Sequence, residues 1–433
     1  MVKLWGQNTG AYALATVPLA AVLLVAGCAT LPARGQSGAQ PPAASGPSAA
    51  SARPAASGSG SQAGAAIWLD SLQMTSASTG WALRWTQSPV VADDGYLAPA
   101  RTTDGARTWA SVTPPAARAL LATPDAAVVL QALDGQRAWL AVTAATTDSS
   151  PVHLTEVFTT ANGGRTWTEP APLKVPGYAS FLSVAGPERG WLLMAYGGSM
   201  GQEPVQLYRT SDAGLRWSLA AETPQTGTGS NGLPVSCDKA GLVFATASAG
   251  WLSGACFSLS DALLVSRDGG VTWASQTLPA AASSCSTYGC QVFGPQFAGH
   301  AGFLVIDRAT GAPYFLVSQD LGVTWRKQPL PSGAGQDPRI QFFSPLSGML
   351  VSAGPQGVIG HVFYTTANGG RTWTAVPQGR SFTRLGTSFG FVSPRTGFAW
   401  APGADAKGSS PPAMYLTTDS GRTWVAFTPR LAA

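Results

Sequence analysis

Ser266-Arg267-Asp268-Gly269-Gly270-Val271-Thr272-Trp273 and Ser318-Gln319-Asp320-Leu321-Gly322-Val323-Thr324-Trp325 are two copies of one pattern: a hydroxyl residue, any residue, Asp or Asn, any, small, any, Thr, Trp. The chain carries five more copies, at 102–109, 160–167, 210–217, 366–373 and 417–424. Successive tryptophans (Trp109, Trp167, Trp217, Trp273, Trp325, Trp373, Trp424) lie 58, 50, 56, 52, 48 and 51 residues apart. A period of about fifty residues marks one supersecondary unit repeated.

A second marker runs in phase with the first. A small residue followed by a large apolar one precedes each Trp: Gly80-Trp81, Ala138-Trp139, Gly190-Trp191, Gly250-Trp251, Gly302-Phe303, Gly348-Met349 and Gly397-Phe398. Each pair opens a strand-like run, and another β-rich run leads into each eight-residue motif. The unit therefore reads as strand A, a turn, strand B at the small-large pair, strand C, the eight-residue turn, then strand D with its Trp. Seven such units predict an all-β, seven-bladed β-propeller with typically four antiparallel strands per blade.

The motif has a mechanical reading. The side chain of Asp104, Asn162, Asp212, Asp268, Asp320, Asn368 or Asp419 can bond backbone N–H groups two residues on. The Gly near position five tolerates positive φ, and the indole can plug the space between neighbouring blades while its N–H finds a carbonyl. One copy per blade spreads the carboxylates around a ring instead of converging them on one site, so they read as structural and not as catalytic or metal-binding.

This pattern resembles the Asp-box, or bacterial neuraminidase, repeat of sialidases, sortilin-type receptors and many exported propellers. Asn162 and Asn368 depart from it by replacing Asp, Ala106 by replacing Gly and Arg216 by replacing Thr. The combined unit also resembles the photosystem II assembly and stability factor family. Its pattern is seen in Ser393-Pro394-Arg395-Thr396-Gly397-Phe398 before 417–424, and in Thr365-Thr366-Ala367-Asn368-Gly369-Gly370-Arg371-Thr372-Trp373. That resemblance implies a lumenal-type propeller that binds protein as an assembly scaffold without catalysis. The resemblance to sialidases implies a rival, a glycoside hydrolase. The motif expected of a sialidase, an early Phe/Tyr-Arg-Ile-Pro, is missing, and Pro338-Arg339-Ile340 lies late and lacks the final Pro. Asp93-Asp94 and Asp238 could supply paired carboxylates, although solvated loop carboxylates are the blander and favoured explanation.

The N-terminus reads as an export signal: Lys3, an apolar stretch from about Ala11 to Ala26, then Leu24-Val25-Ala26-Gly27-Cys28. That end resembles a bacterial lipobox, which implies cleavage before Cys28 and acylation of its thiol. Residues 1–27 are thus expected to be a lipoprotein signal peptide. Residues 28–64, almost wholly Ala, Gly, Ser, Pro and Gln, are expected to be a flexible tether, and 65–433 the propeller. The implied location is the bacterial cell envelope, outside the cytoplasm.

Charged residues make up 11% of the chain and the net charge is +5, with no basic run, so nucleic acid is not an expected partner. His153, His300 and His361 are scattered; no metal and no cofactor is expected. The expected state is a monomer. Cys237, Cys256, Cys285 and Cys290 allow three pairings, and the expected pairs are Cys237–Cys256 and Cys285–Cys290. All four map to the face that also carries the long connections at 87–95, 143–151, 218–240 and 401–413. Long braced loops on a rigid ring are where binding commonly resides, so this face is the expected site for a protein or an envelope glycan.

Overall fold

The computed structural model describes residues 64–86, 95–123, 125–145, 152–197, 201–224, 226–256, 262–279, 290–308, 312–335, 337–354, 360–379, 388–401 and 413–432. Residues 1–63 with Cys28, Cys285, Asp93-Asp94 and most of the connections 87–95, 143–151 and 401–413 lie outside these ranges; of Cys256 only the backbone is described.

Among the described residues the strands run as seven consecutive four-stranded antiparallel meanders. The first is β1 to β4 (Leu69–Met74, Gly80–Trp85, Leu97–Thr102, Thr108–Ser111), and the second β5 to β8 (Ala127–Ala132, Ala138–Ala145, Val152–Thr160, Leu173–Pro176). The third is β9 to β12 (Tyr178–Val184, Gly190–Ala195, Val205–Thr210, Ser218–Glu222), and the fourth β13 to β16 (Asp238–Phe244, Gly250–Cys256, Leu263–Ser266, Ala274–Ser275). The fifth is β17 to β20 (Cys290–Ala298, Ala301–Arg308, Tyr314–Ser318, Arg326–Gln328), and the sixth β21 to β24 (Arg339–Phe342, Gly348–Ala353, His361–Thr366, Thr374–Ala375). The seventh is β25 to β28 (Ser388–Phe391, Gly397–Ala401, Ala413–Thr417, Val425–Phe427). The small-large pairs open the second strand of six meanders and stand one residue inside that of the fifth. Those strands are near-continuous apolar runs because each is covered on both sides, as β10 shows by its burial from Gly190 to Met194.

Seven apolar clusters join each meander to the next, and the last joins the seventh to the first. Each has the same two anchors: the large residue of the second strand on one side and the turn Trp of the following meander on the other. Trp81 meets Trp167 edge-on at 6.2 Å, and Trp139 meets Trp217 at 6.3 Å. In the next groove Phe244 is sandwiched, stacked on Trp191 at 3.8 Å with Trp273 edge-on at 6.1 Å. Glycine is required where these rings pass close to the backbone. A Cβ on Gly250 would lie 2.3 Å from the Phe244 ring, and one on Gly322, at φ +71, 2.5 Å from Trp251.

Glutamines on the first strands of three meanders, Gln73 and Gln341 buried and Gln296 half-buried, staple neighbours together. Gln73 donates to the Leu130 carbonyl at 2.6 Å and accepts the Ala132 N–H at 2.8 Å. Gln296 does the same for Phe342, and Gln341 for Phe391.

The circuit closes through the chain ends. β29 (Arg430–Leu431) pairs parallel with β4, and the backbone N–H groups of Arg430 and Ala432 donate to Arg107 and Trp109 carbonyls. Residues 64–67 lie along its other edge: Gly64 N–H donates to Leu431, Leu431 N–H to Ala65, and Ile67 N–H to Pro429. The last strand is thereby held between the start of the folded chain and the first meander.

Trp273→Ala is expected to cost about 3–5 kcal/mol, as for other large buried aromatics. Gln341→Leu, which leaves two buried backbone groups of Phe391 unmet, is expected to cost about 1–3 kcal/mol. Urea unfolding ranks them against Arg371→Ala on the exposed rim, expected within about 0.5 kcal/mol of wild type. A Trp273→Ala cost no larger than that of Arg371→Ala would contradict the packing.

Candidate binding face

The seven eight-residue turns share one hydrogen-bond plan. The first hydroxyl donates to the third side chain and accepts the N–H of position five, as Ser318 does with Asp320 (2.7 Å) and Gly322 (2.8 Å). The third side chain then receives the N–H of position seven and, where it is Thr, its hydroxyl: Thr324 reaches Asp320 at 2.9 and 2.6 Å. Asp104, Asp212, Asp268 and Asp419 are held in the same way. Asn162 and Asn368 keep the plan with one bond reversed, their amides donating to Thr166 and Thr372 at 2.7 and 2.8 Å. A neutral amide thus serves where a carboxylate does elsewhere.

These bonds set the charge state of the turns. The hydroxyl and N–H of Thr324, with the Ser318 hydroxyl, hold the Asp320 carboxyl down at about 2. At Asp104, Asp268 and Asp419 burial pushes the pKa upward, but the same hydrogen bonds outweigh it and leave it lowered. The indoles of Trp109, Trp273 and Trp424 donate to the position-five carbonyls of Ala106, Gly270 and Gly421, while Trp167 reaches back to Val112 in the first meander.

In all seven turns the N–H of position four also donates to the first hairpin turn of the same meander, from Gly105 to Ser78 through Ser420 to Arg395. Positions four and five are both left-handed in every copy, including Ala213, Leu321 and Ser420. The two kinds of turn therefore occupy one end of the meanders, and the remaining connections fall at the other.

The connection 218–240 departs from the sequence expectation that it is a long loop of the binding face. Its first residues are strand β12, and its middle folds back into the groove between the third and fourth meanders. Leu233 is fully buried there, the Trp273 N–H donates to Asn231 at 2.7 Å, and a Cβ on Gly232 would strike the Trp273 carbonyl. Leu233 is the physical reason: a large apolar side chain gains more in the groove than in water. The connection after the first meander behaves likewise, its short helix α1 (Arg118–Leu121) burying Leu121 between meanders one and two. What 218–240 still presents is its end, where the Lys239 ammonium donates to the Ser236 and Cys237 carbonyls at 2.7 and 2.8 Å. There Glu203 accepts the Lys239 N–H, and Asp238 is exposed.

A second polar group on this face was not singled out by its sequence. Asp307, at the end of β18, accepts the Asp337 N–H at 3.0 Å, and Asp337 pairs with Arg339 at 2.6 Å. The Arg339 guanidinium lies 3.7 Å from the Phe293 ring. Burial raises the Asp307 pKa, and the neighbouring Asp337 charge adds to it. Arg339, the residue of the partial sialidase-like string, is thus committed to an ion pair and a ring face. Asp70, near the start of β1, is raised to about 6 by burial. Among the described residues no group of His, Cys, Asp and Glu could hold a metal ion; His153 packs on Tyr178 and His361 on Phe389, in different meanders.

Cys237 and Cys290 are each disulfide-bonded. Strand register puts Cys256 opposite Cys290, and Asp238, next to Cys237, opposite Ala255, next to Cys256. Cys256 therefore lies between the two, on the central strand of three.

Two outcomes follow for pH. The five lowered turn carboxylates contribute stability that is present above an unfolded pKa of about 3.9 and is lost as pH falls below it, for Asp320 through about 2. Asp70, raised in the fold, has the opposite sign: its contribution is present below about 4 and is lost as pH rises through about 6. Asp70→Asn is expected to raise the melting temperature at pH 8 and to leave it unchanged at pH 4. An equal shift at both values would refute the burial of an ionised Asp70. For the cysteines, non-reducing peptide mapping is expected to return Cys237–Cys256 and Cys285–Cys290. A Cys256–Cys290 peptide would overturn that pairing.

No protein-family model matches this chain, and no curated protein matches it. Several solved structures are similar. YCF48 bound to a D1 peptide is 16% identical, covering 83% of this chain and 93% of that one, with a TM-score of 0.45. A GH74 xyloglucanase from Xanthomonas campestris is 14% identical, covering 86% of this chain and 54% of that one, with a TM-score of 0.49. A prolyl endopeptidase is 9% identical, covering 84% of this chain and 50% of that one, with a TM-score of 0.53. The chain spans about half the length of the last two. The likeness to the endopeptidase is one of fold alone. Together with the closed circuit of meanders, it identifies the chain as a β-propeller.

Proposed function

We propose that this chain is a seven-bladed Asp-box propeller, exported and held at the bacterial cell envelope by acylated Cys28. On this reading it acts without catalysis, as a binding or assembly scaffold for a protein or an envelope glycan. One observation carries the non-enzymatic reading. The repeated carboxylates are spent on their own turns, and at two of seven positions Asn does the same work, so their charge serves the fold and not a reaction. The loop-rich face then offers the binding surface, with Asp238 exposed at the start of the fourth blade. The rest of the reading extends the motif-level resemblance to assembly factors and the lipobox-like segment Leu24-Val25-Ala26-Gly27-Cys28.

The second reading, a glycoside hydrolase, draws on Asp307. Its raised pKa and adjacent second carboxylate are features that a general acid needs. Against it, Asp337 is already paired with Arg339.

Crosslinking pulldown from native membranes separates the two. The scaffold reading expects a partner captured by the full chain and lost in Asp238→Arg. Release of reducing sugar from polysaccharide by the purified full chain, abolished in Asp307→Asn, would replace it with the hydrolase. Cys28→Ala is expected to free the protein from membranes or leave its precursor uncut. Fatty-acid labelling that survives this substitution would sink the anchor.

A further inference from the structure

The face built from the turns is uneven around the ring. The described residues expose six large apolar side chains: Leu215, Leu219, Val271, Val323, Leu346 and Val425. All of them lie in these turns or within two residues of a turn Trp. Leu215, Val271 and Val323 hold position six of the third, fourth and fifth turns, and Leu346 caps the first hairpin of the sixth meander. These four form an unbroken arc over the third to sixth meanders, with Val323 59% exposed, while Val425, next to Trp424, lies in the seventh. Position six of the sixth, seventh, first and second turns is instead Arg371, Arg422, Arg107 and Arg165, all exposed. Three of these guanidiniums are held at the rim by the position-three carbonyl of their own turn: Arg165 on Asn162 at 3.0 Å, Arg107 on Asp104 at 3.2 Å, and Arg371 on Asn368 at 3.5 Å. The two turns that have Asn in place of Asp are both in this basic arc, so their arginines meet no carboxylate within the turn.

We infer that this face rests on a bilayer leaflet containing anionic phospholipid, the arginine arc on phosphates and the apolar arc at the headgroup–acyl boundary. The pairing of chemistries selects the occupant. A guanidinium recognises phosphate by forked hydrogen bonds, and valine and leucine side chains gain by leaving water. An anionic polysaccharide would satisfy the arginines but leave the apolar arc hydrated. A second copy of the chain would bring the same basic arc against this one. Docking would turn the opposite, loop-rich face away from the lipid. The inference does not depend on acylation of Cys28, because both arcs belong to the folded ring.

Each basic residue close to an anionic leaflet improves partition by about fivefold, and salt screens it within roughly 8–10 Å. The test uses the full chain reconstituted into vesicles, with a photocrosslinking benzoylphenylalanine in place of Val323 or, as a control on the far face, of Asp238. Phosphatidylcholine vesicles with about one-third phosphatidylglycerol should give lipid adducts at position 323 and not at 238. These adducts should fall at least about tenfold in pure phosphatidylcholine, in high salt, and in the variant R107Q/R165Q/R371Q/R422Q. Arg165→Gln with Arg371→Gln is the fallback if the quadruple variant unfolds. Equal adducts in neutral and anionic vesicles would reduce the effect to tethering near a surface and overturn the inference. No adducts, or adducts to a second copy of the chain, would also overturn it. Sedimentation of the protein with vesicles reads anchoring separately, so a failed anchor and a failed docking face give different results.

Discussion

Across every groove of this ring, the large residue of a second strand meets the turn tryptophan of the next meander, and the rest of the structure is arranged around that contact. A blade edge cannot be stable in water with its aromatic rings exposed, so each unit is completed only by its neighbour. The contact explains both glycine positions. The glycine opening the second strand clears the ring stacked above it, as Gly250 does for Phe244. The fifth residue of the turn clears the preceding blade's ring, as Gly322 does for Trp251. It also explains why the hydrogen bonds of the turn are so uniform: they aim one indole into one groove, and a misdirected indole would open two blades at once.

Much of this was legible in the sequence because side-chain size and backbone freedom leave strong local signals. Tryptophans at intervals near fifty residues, each with a small-large pair upstream, gave the strands and their order. Position four of the turn was not readable, although it is left-handed in every copy. Ala213, Leu321 and Ser420 tolerate that conformation because the N–H they present is fixed by the hairpin beside it. Their side chains carry no sign of the constraint. The staples Gln73 and Gln341 do leave a trace, an apolar-Gln-apolar pattern seven residues before their small-large pairs, and Gln296 stands six residues before its own. A lone glutamine in a strand is ambiguous until its partner strand is known. The connection 218–240 misled because glycine and serine dominate it, and one leucine, Leu233, decides where its middle goes. Closure was unreadable for a different reason: it depends on backbone bonds from residues 429–432 to 64–67 on one side and to Arg107 and Trp109 on the other, which any sequence able to extend could make.

Candidate-site residues were less legible than fold residues, and the cause is physical. Repetition makes structural roles visible seven times, whereas a binding site on a ring is built from single, non-repeated residues. Asp307, Asp337 and Arg339 come from two blades and form one group only when β18 and β21 are brought together. Asp70 is unusual only because of its burial.

The same logic says where this molecule can diverge without losing its fold. At position three of the turn Asp and Asn are interchangeable, because either one accepts the position-seven N–H and only the direction of the Thr bond changes. At position six the side chain is exposed, and Leu, Val and Arg all occur there with the turn intact, so its chemistry is free to follow the surroundings. Four arginines in consecutive blades followed by three apolar residues in the next three are thus a pattern that packing does not demand. A residue type that the fold leaves free, yet which is sorted around the ring, points to something outside the fold that distinguishes one side of the ring from the other.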